Sequence, residues 1–175
     1  GPKALEWLIT IIPEARKVYV PYNPDDEVSI VTLDELNKTS SQLGIELVLD
    51  EVHSVEEAVA AIESLPDDVD AVFRIPSPTL DPRNAELSRA AIAQDLPMGT
   101  IVPLDEAVLL TLAADLFVTG KQAARLVHQI RQGTRSADLP VETAEILLTI
   151  NLKNIVTIEL NIPDEILLQA DTIIR

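Results

Sequence analysis

Polar side chains that could bind a small molecule follow three of four apolar segments that have the composition of β-strands. Tyr22, Asn23 and Asp26 follow the first segment, Ser77 and Thr79 follow the third, and Asp105 follows the fourth. Hydroxyl, amide and carboxylate groups form hydrogen bonds with a small polar ligand, and Tyr22 adds an aromatic face for stacking. We therefore predict that these six residues line a ligand-binding site.

The same residue types also have local roles that need no ligand. The Asn-Pro-Asp-Asp run at 23–26 is typical of a turn that leads into a helix. Ser77 and Thr79 are placed to cap the helix after the third strand, and Asp105 is placed to cap the segment after the fourth. Both interpretations, ligand contact and capping, stay open on the sequence alone.

None of the sequence motifs tested would make this site catalytic or nucleotide-binding. No Gly-x-Gly-x-x-Gly or Walker loop follows the first strand, and no Gly-x-Ser-x-Gly elbow is present. Asp25 and Asp26 suggest a phosphate-accepting receiver domain, but residues 74–77 stand where its phosphorylated aspartate is required. Asp105 and Glu106 are adjacent, which points their carboxylates apart and argues against a glycosidase pair. We predict a protein that binds and does not catalyse.

Composition excludes several other classes of protein. The 175 residues carry 13 Lys and Arg against 29 Asp and Glu, a formal net charge of −16. Nucleic-acid phosphates and anionic membrane surfaces would be repelled by such a chain. It has no Cys and only two His, distant from each other, so we expect neither a disulfide scaffold nor a metal site. No cofactor is expected.

Hydrophobic periodicity predicts the elements that must position the six residues. We predict helices at 3–12, 29–43, 54–64, 84–95, 119–132 and 164–174, and strands at 17–21, 45–52, 70–75, 97–103 and 145–152. Residues 155–160 are ambiguous between strand and helix. Gly44 is expected to end the second helix, and Ser54 with Glu57 forms a capping box for the third.

The arrangement of these elements predicts an α/β fold. Four strands separated by three helices, without hairpin turns, indicate a parallel sheet covered by helices on both faces. In open sheets of this kind ligands bind beyond the carboxyl ends of the strands, where the six polar residues stand.

Segments in a fixed order carry a resemblance to a known family. They are KALEWLITIIPEARKV, YNPDDE, LGIELVLDEV, VDAVFRIPSPT, LPMGTIVPLDEAV, the run from LLTLAADLF to LPVE, and INLKN with NIPDEILLQAD. The most specific lie at 120–124, 133–142 and 150–152. In this order they resemble the substrate-binding proteins of bacterial ABC transporters, in the branch related to tryptophan- and tyrosine-type binding components. The similarity covers nearly the whole chain.

The resemblance implies a type I periplasmic-binding-protein-like lobe of a two-lobed clamshell that closes on a solute. Residues 1–113 would form the second lobe and 114–175 the return segment with a C-terminal helix, while the first lobe would precede Gly1 and be missing. The implied function is the solute-binding component of an ABC transporter, which takes a small polar or amino-acid-like ligand in an interlobe cleft lined by the six residues. The implied partner is the transporter permease. The implied location is periplasmic or otherwise extracytoplasmic, with a precursor that could be membrane-anchored.

Two other hypotheses remain open at this stage. The same lobe could be the ligand-sensing domain of a bacterial receptor or signalling protein, and an enzyme on a flavodoxin-like sheet is not excluded by fold analogy alone.

One predicted helix has an apolar face that the rest of the chain does not obviously cover. This face comprises Phe117, Ala123, Ala124, Val127 and Ile130. In the family that the chain resembles, the corresponding helix packs on the first lobe. A contiguous apolar patch is usually covered, so we hypothesise a homodimer through the 117–130 helix.

Overall fold

The chain folds around one mixed β-sheet. The computed structural model describes residues 1–103, 108–153, 158 and 160–175. In these ranges the strands are β1 Lys17–Tyr22, β2 Glu46–Glu51, β3 Ala71–Arg74, β4 Met98–Thr100, β5 Leu110–Ala114, β6 Ile146–Asn151 and β7 Thr172–Ile174. Their order across the sheet is β2-β1-β3-β4-β5-β6-β7. β1 to β5 are parallel, β6 is antiparallel to β5, and β7 is parallel to β6.

Helices lie on both faces of the sheet, and the predicted α/β fold is confirmed. They are α1 Pro2–Ile11, α2 Glu27–Leu43, α3 Val55–Glu63, α4 Asn84–Ala93, α5 Leu116–Arg131 and α6 Asp164–Leu167. Short 3-10 turns occur at Asp81–Arg83 and Ser136–Asp138. The predicted end of α2 is confirmed, since Gly44 adopts a left-handed conformation with φ 69°. At α3 the Ser54 hydroxyl accepts a bond from the Glu57 amide, while the Glu57 carboxylate accepts one from the His53 amide.

Three predictions about the elements need correction. The helix predicted at 164–174 is wrong beyond Leu167, because the chain turns and Thr172–Ile174 pairs with β6 as β7. The strand predicted at 97–103 is confined to Met98–Thr100. β5 at Leu110–Ala114 was not predicted at all. Most of the ambiguous segment 155–160 lies outside the described residues.

Two apolar layers hold the sheet between the helices. On one face Leu5 and Leu8 of α1 are fully buried and belong to the same cluster as Val18 of β1. On the other face Ile62 of α3 and Leu87 of α4 belong to a second cluster. Successive residues of a strand point to opposite faces, so each buried strand serves both layers. The sheet is therefore a rigid base for the loops at its carboxyl edge.

α5 differs from the other long helices, because none of its residues is buried. The Asp115 carboxylate caps it by accepting bonds from the Phe117 and Val118 amides at 2.8 and 2.9 Å. Phe117 is 71% exposed and Val127 56%. The described part of the chain thus leaves the predicted apolar face open. In the described ranges, no helix is both long enough and apolar enough to cross a membrane.

Candidate functional site

The loops that follow β1 and β3 meet at the carboxyl edge of the sheet. β1 and β3 are neighbouring parallel strands, with Val18 opposite Ala71. The loop after β1 therefore lies beside the loop after β3. This adjacency brings together Asn23 and Asp26 from the first loop with Ser77 and Thr79 from the second. We call these four residues the edge cluster.

Hydrogen bonds join the two loops through Asp26. Its carboxylate accepts a bond from the Ser77 hydroxyl, and further ones from the Thr79 amide at 3.5 Å and the Thr79 hydroxyl at 3.4 Å. The Asn23 amide group donates to the Thr79 hydroxyl at 2.8 Å. One hydrogen-bond network thus joins four of the six predicted residues, and each of these side chains is bonded to at least one of the others.

The turn predicted at 23–26 is confirmed, whereas the prediction that Ser77 and Thr79 cap the helix after β3 is wrong, because Asp81–Arg83 and α4 have no side-chain cap. Asn23 accepts a bond from the Asp25 amide at 2.9 Å, and Ser77 accepts one from the Leu80 amide at 3.2 Å, so both shape their own turns. Asp26 occupies the N-terminal cap position of α2, but its side chain makes no capping bond there. Its carboxylate is directed across to the loop after β3, where it meets Ser77 and Thr79.

Burial separates the cluster into supporting and accessible groups. Ser77 is fully buried and Asn23 is 6% exposed. Asp26 and Thr79 are half-buried and keep part of their surface open to solvent. A carboxylate and a hydroxyl held in fixed positions at a strand edge suit the recognition of a small polar or cationic group.

Two of the six predicted residues are not part of this cluster. Tyr22 donates its phenolic hydrogen to the Glu51 carboxylate at 2.9 Å, and this bond raises the pKa of Tyr22. Its ring is half-buried and packs against the core beneath α1 and α2. Asp105 lies outside the described residues, so its predicted place in the site remains a prediction.

Several residues that shape this edge were not predicted from the sequence. Arg74 ends β3 fully buried and pairs with the Asp81 carboxylate. Tyr19 donates to the Asp50 carboxylate at 2.8 Å, and burial, followed by this bond, raises the pKa of the phenol. The Ser29 hydroxyl donates to the Pro76 carbonyl at 2.9 Å, which ties α2 to the loop after β3. An arginine within an apolar strand was the one available sequence signal, since a buried charge requires a partner.

Acidic side chains dominate the surface around the cluster. Asp25, Asp50 and Glu51 lie at the ends of β1 and β2. The Asp25 side chain is 85% exposed and lies 3.7 Å from the His53 ring. Among the described residues no group of three His, Asp or Glu side chains is arranged to hold a metal ion. This edge offers negative charge and hydrogen bonds to a ligand.

A wide groove in the described part of the molecule lies elsewhere. Its volume is about 560 Å³, and Trp7, Thr10, Pro13 and Leu43 are among its lining residues. Pro13 precedes β1 and Leu43 precedes β2, so the groove opens near the amino ends of the strands. It shares no residue with the edge cluster.

Comparison with known proteins gives one family match over almost the whole chain. A sequence model of the family described as ABC transporter substrate binding protein matches residues 2–174. A tyrosine-binding protein of Clostridioides difficile (strain R20291) is 26% identical over 149 residues, which are 82% of this chain and 42% of that protein.

Solved structures share the fold at lower sequence identity. An ABC domain from Streptococcus pneumonia in complex with L-Trp has a TM-score of 0.82 and 18% identity, with 99% of this chain and 60% of that chain covered. A ligand-free, open substrate binding protein with adhesive properties from Clostridium difficile has a TM-score of 0.77 and 20% identity, with coverage of 98% and 59%. The chain thus spans less than half of the curated relative and about three fifths of these structures.

Proposed function

Because the chain belongs to the family of ABC transporter substrate-binding proteins, we propose that it binds an amino acid with an aromatic side chain at the edge cluster. The observation that carries this proposal is the Asp26 carboxylate, half-buried and held by Ser77 and Thr79 where the ends of β1 and β3 meet. The relatives that bind tyrosine and L-Trp support the choice of ligand class.

The charge of the edge indicates which end of the ligand it would meet. Asp26 is half-buried and is held in place by Ser77 and Thr79, so the ammonium group of an amino acid is the partner that complements its negative charge. A charge-assisted bond between ammonium and carboxylate is about twice as strong as a neutral one. Thr79 supplies a second polar contact beside Asp26.

The larger role follows from the family and from the length of its members. Substrate-binding proteins of ABC transporters are extracytoplasmic, and we propose that this protein delivers its ligand to a transporter permease without catalysing a reaction. Residues 1–113 would be the second lobe and 114–175 the return segment, with the ligand closed in a cleft between this lobe and another. Asp105 would join the cleft from the loop after β4.

Calorimetric titration of the full-length protein with L-tryptophan and L-tyrosine tests this function. We expect at least one of them to bind, and N-acetyl-L-tryptophan, which lacks the ammonium charge, to bind about 100-fold more weakly or not at all. Tryptamine, which keeps the ammonium and lacks the carboxylate, is the matched control for charge. Equal binding of the parent and N-acetylated amino acids, or no binding of either amino acid, would contradict the proposal.

The open face of α5 leads to a separate prediction for the isolated 175-residue chain. We propose that a second copy covers this face, since α5 carries Lys121, Arg125 and Arg131 and no acidic residue, whereas the whole chain has a net charge of −16. A basic apolar helix complements an acidic surface, and salt should weaken the contact. Sedimentation velocity should show a dimer that Phe117→Glu weakens by about 10-fold or more.

Leu168→Glu is the control for this dimer, because Leu168 is 85% exposed and lies at the end of α6, outside α5 and the 142–143 segment that contacts it. It adds the same charge and should leave the dimer intact. A monomer at about 100 μM, well above the weak dissociation constants typical of transient contacts, would show that no second copy covers α5.

A further inference from the structure

A buried arginine lies directly beneath the edge cluster. Arg74 is 0% exposed, and its Nη2 group donates to the Asp81 carboxylate. The side chain of Asp81 is 40% exposed, so it spans from the arginine to the surface. Burial lowers the pKa of Arg74, and the bond and charge of Asp81 act in the opposite direction. Placing a guanidinium here is costly, since the effective penalty of burying an ion is several kcal/mol.

The stability of the fold gives only a weak reason for a buried charge at Arg74. Replacement of a buried ion pair by apolar residues of similar volume is often neutral or stabilising. Within the described part of the chain, the buried side-chain atoms that lack a hydrogen-bond partner are Nε and Nη1 of Arg74 and both polar atoms of Asn84. Unsatisfied groups concentrated at one place in a native structure call for an explanation.

The position of Asn84 places these atoms in one layer. Asn84 lies one helical turn before Ser88, whose hydroxyl is 3.7 Å from the Met98 sulfur. Met98 precedes Thr100 by two residues, and Thr100 is paired with Arg74 across β3 and β4. The step from Ser88 back to Asn84 is one helical turn, about 5.4 Å, and the step from Met98 to Thr100 is two strand residues, about 6.6 Å, so the two steps are similar in length. Asn84 and Arg74 thus lie at the same level, just below the carboxyl edge.

Asp81 connects this layer to the edge cluster. The carboxylate oxygen that accepts from Arg74 also accepts from the Ser77 amide at 3.1 Å. The Leu80 and Asp81 amides donate to the Ser77 carbonyl at 3.0 and 2.8 Å, which closes the turn from 77 to 81. The turn carries the Ser77 hydroxyl and Thr79 towards Asp26. The orientation of Asp81 therefore fixes two members of the cluster.

We propose that Arg74 is a positioning residue of the ligand site, which orients Asp81 and thereby holds the turn that carries Ser77 and Thr79 against Asp26. This inference deepens the proposed function and rests on it for its effect on ligand affinity. Its effect on the turn is independent of any ligand. Without the guanidinium, the partly exposed Asp81 carboxylate turns to water, and the Ser77 amide loses its acceptor.

Amide hydrogen exchange on the ligand-free chain tests the effect on the turn. In Arg74→Met we expect the Ser77 amide to exchange about 10-fold faster or more, while the Val72 amide, which donates to the Pro97 carbonyl at 3.0 Å, changes less than about twofold. Arg74→Lys restores a positive charge and should recover part of the protection. Arg89→Met is the matched control, because Arg89 is an exposed arginine on α4.

Titration of the full-length protein with L-tryptophan and L-tyrosine tests the effect on the site. We expect Arg74→Met to weaken binding by about 10-fold or more and Arg89→Met by less than about twofold. Unchanged protection of Ser77 in a folded Arg74→Met variant would overturn the assignment. Faster exchange with unchanged affinity would also overturn it, because Arg74 would then serve the turn alone.

Two further outcomes of these experiments also decide the role of Arg74. If the parent protein binds neither amino acid, the proposed function fails, and the exchange of the Ser77 amide alone decides the role of Arg74. If circular dichroism shows that Arg74→Met does not fold, Asp81→Asn replaces it, since this variant keeps an oxygen for the Ser77 amide and removes the charge that meets Arg74. Faster exchange at Ser77 in Asp81→Asn supports the assignment, and unchanged exchange overturns it.

Discussion

Replacement of Asp26 with alanine is expected to weaken amino-acid binding by the full-length protein by about 100-fold or more, which corresponds to about 2.7 kcal/mol. The variant removes the carboxylate that would meet the ligand ammonium. It also removes the acceptor of the Ser77 hydroxyl and of Thr79, so the loops after β1 and β3 lose their connection. Isothermal titration with L-tryptophan and L-tyrosine measures the loss.

Two control variants separate charge from position in this experiment. Asp26→Asn keeps the size of the side chain and an oxygen acceptor but removes the negative charge, so we expect it to lose most of the affinity while keeping the cluster. Asp25→Ala removes a neighbouring carboxylate that is 85% exposed and has only His53 nearby among the described ion pairs. Its effect on affinity should stay below about twofold, as for most surface substitutions.

Full affinity in Asp26→Asn would contradict the role that we assign to the charge. The ligand would then meet a neutral hydrogen-bond acceptor at this position, and an ammonium group would not be what this edge recognises. Equal losses in Asp25→Ala and Asp26→Ala would point instead to the general acidity of the edge. Such a result would remove the edge cluster as the specific contact.

The parts of the fold that follow from local pattern were predicted correctly. Local sequence determines helix periodicity, the end of α2 at Gly44 and the cap of α3 at Ser54. Helices α1 to α5 were therefore predicted with small errors at their ends. The parallel strands β1 to β4 follow because a helix separates each from the next. That Asn23, Asp26, Ser77 and Thr79 meet at one edge follows too, since the carboxyl ends of parallel strands lie at the same edge of the sheet, while their role as a ligand site stays a prediction.

The parts that depend on distant pairing were missed. The short segments at 110–114 and 172–174 become strands because β4 and β6 present free edges to them, and no local signal encodes those edges. The apolar residues at 164–174 suit a helix, but the pairing of Thr172 with Thr149 prevails over that preference. Tertiary context decides such cases, as it does for most short apolar segments.

The same limit applies to the site. Residue types predicted which groups lie at the edge, but not that Asp26 bonds across to Ser77 while Tyr22 bonds to Glu51. Nor did sequence show that Arg74 lies under the cluster. These contacts depend on how far each loop extends and on which face each strand residue occupies, and both are set by packing.

Packing between α1 and the sheet leads to the second large expected effect, at Gly99. A Cβ atom at this position in β4 would lie 3.2 Å from one Leu8 methyl carbon, 3.4 Å from the other and 3.4 Å from a ring carbon of Phe73. Both neighbours are fully buried and cannot move away freely. We expect Gly99→Val to lower the free energy of unfolding by about 3 kcal/mol, the upper range for overpacking a core, as measured by urea denaturation.

Gly120 provides the matched control, because nothing lies within 4 Å of a Cβ added there, and it lies within α5. Gly120→Ala should raise the free energy of unfolding by about 0.5–1 kcal/mol through helix propensity, whereas Gly99→Ala should lower it. The same Gly-to-Ala change is thus expected to stabilise the protein at one position and to destabilise it at the other. If Gly99→Ala is also stabilising, α1 yields easily and the sheet is not the rigid base inferred above.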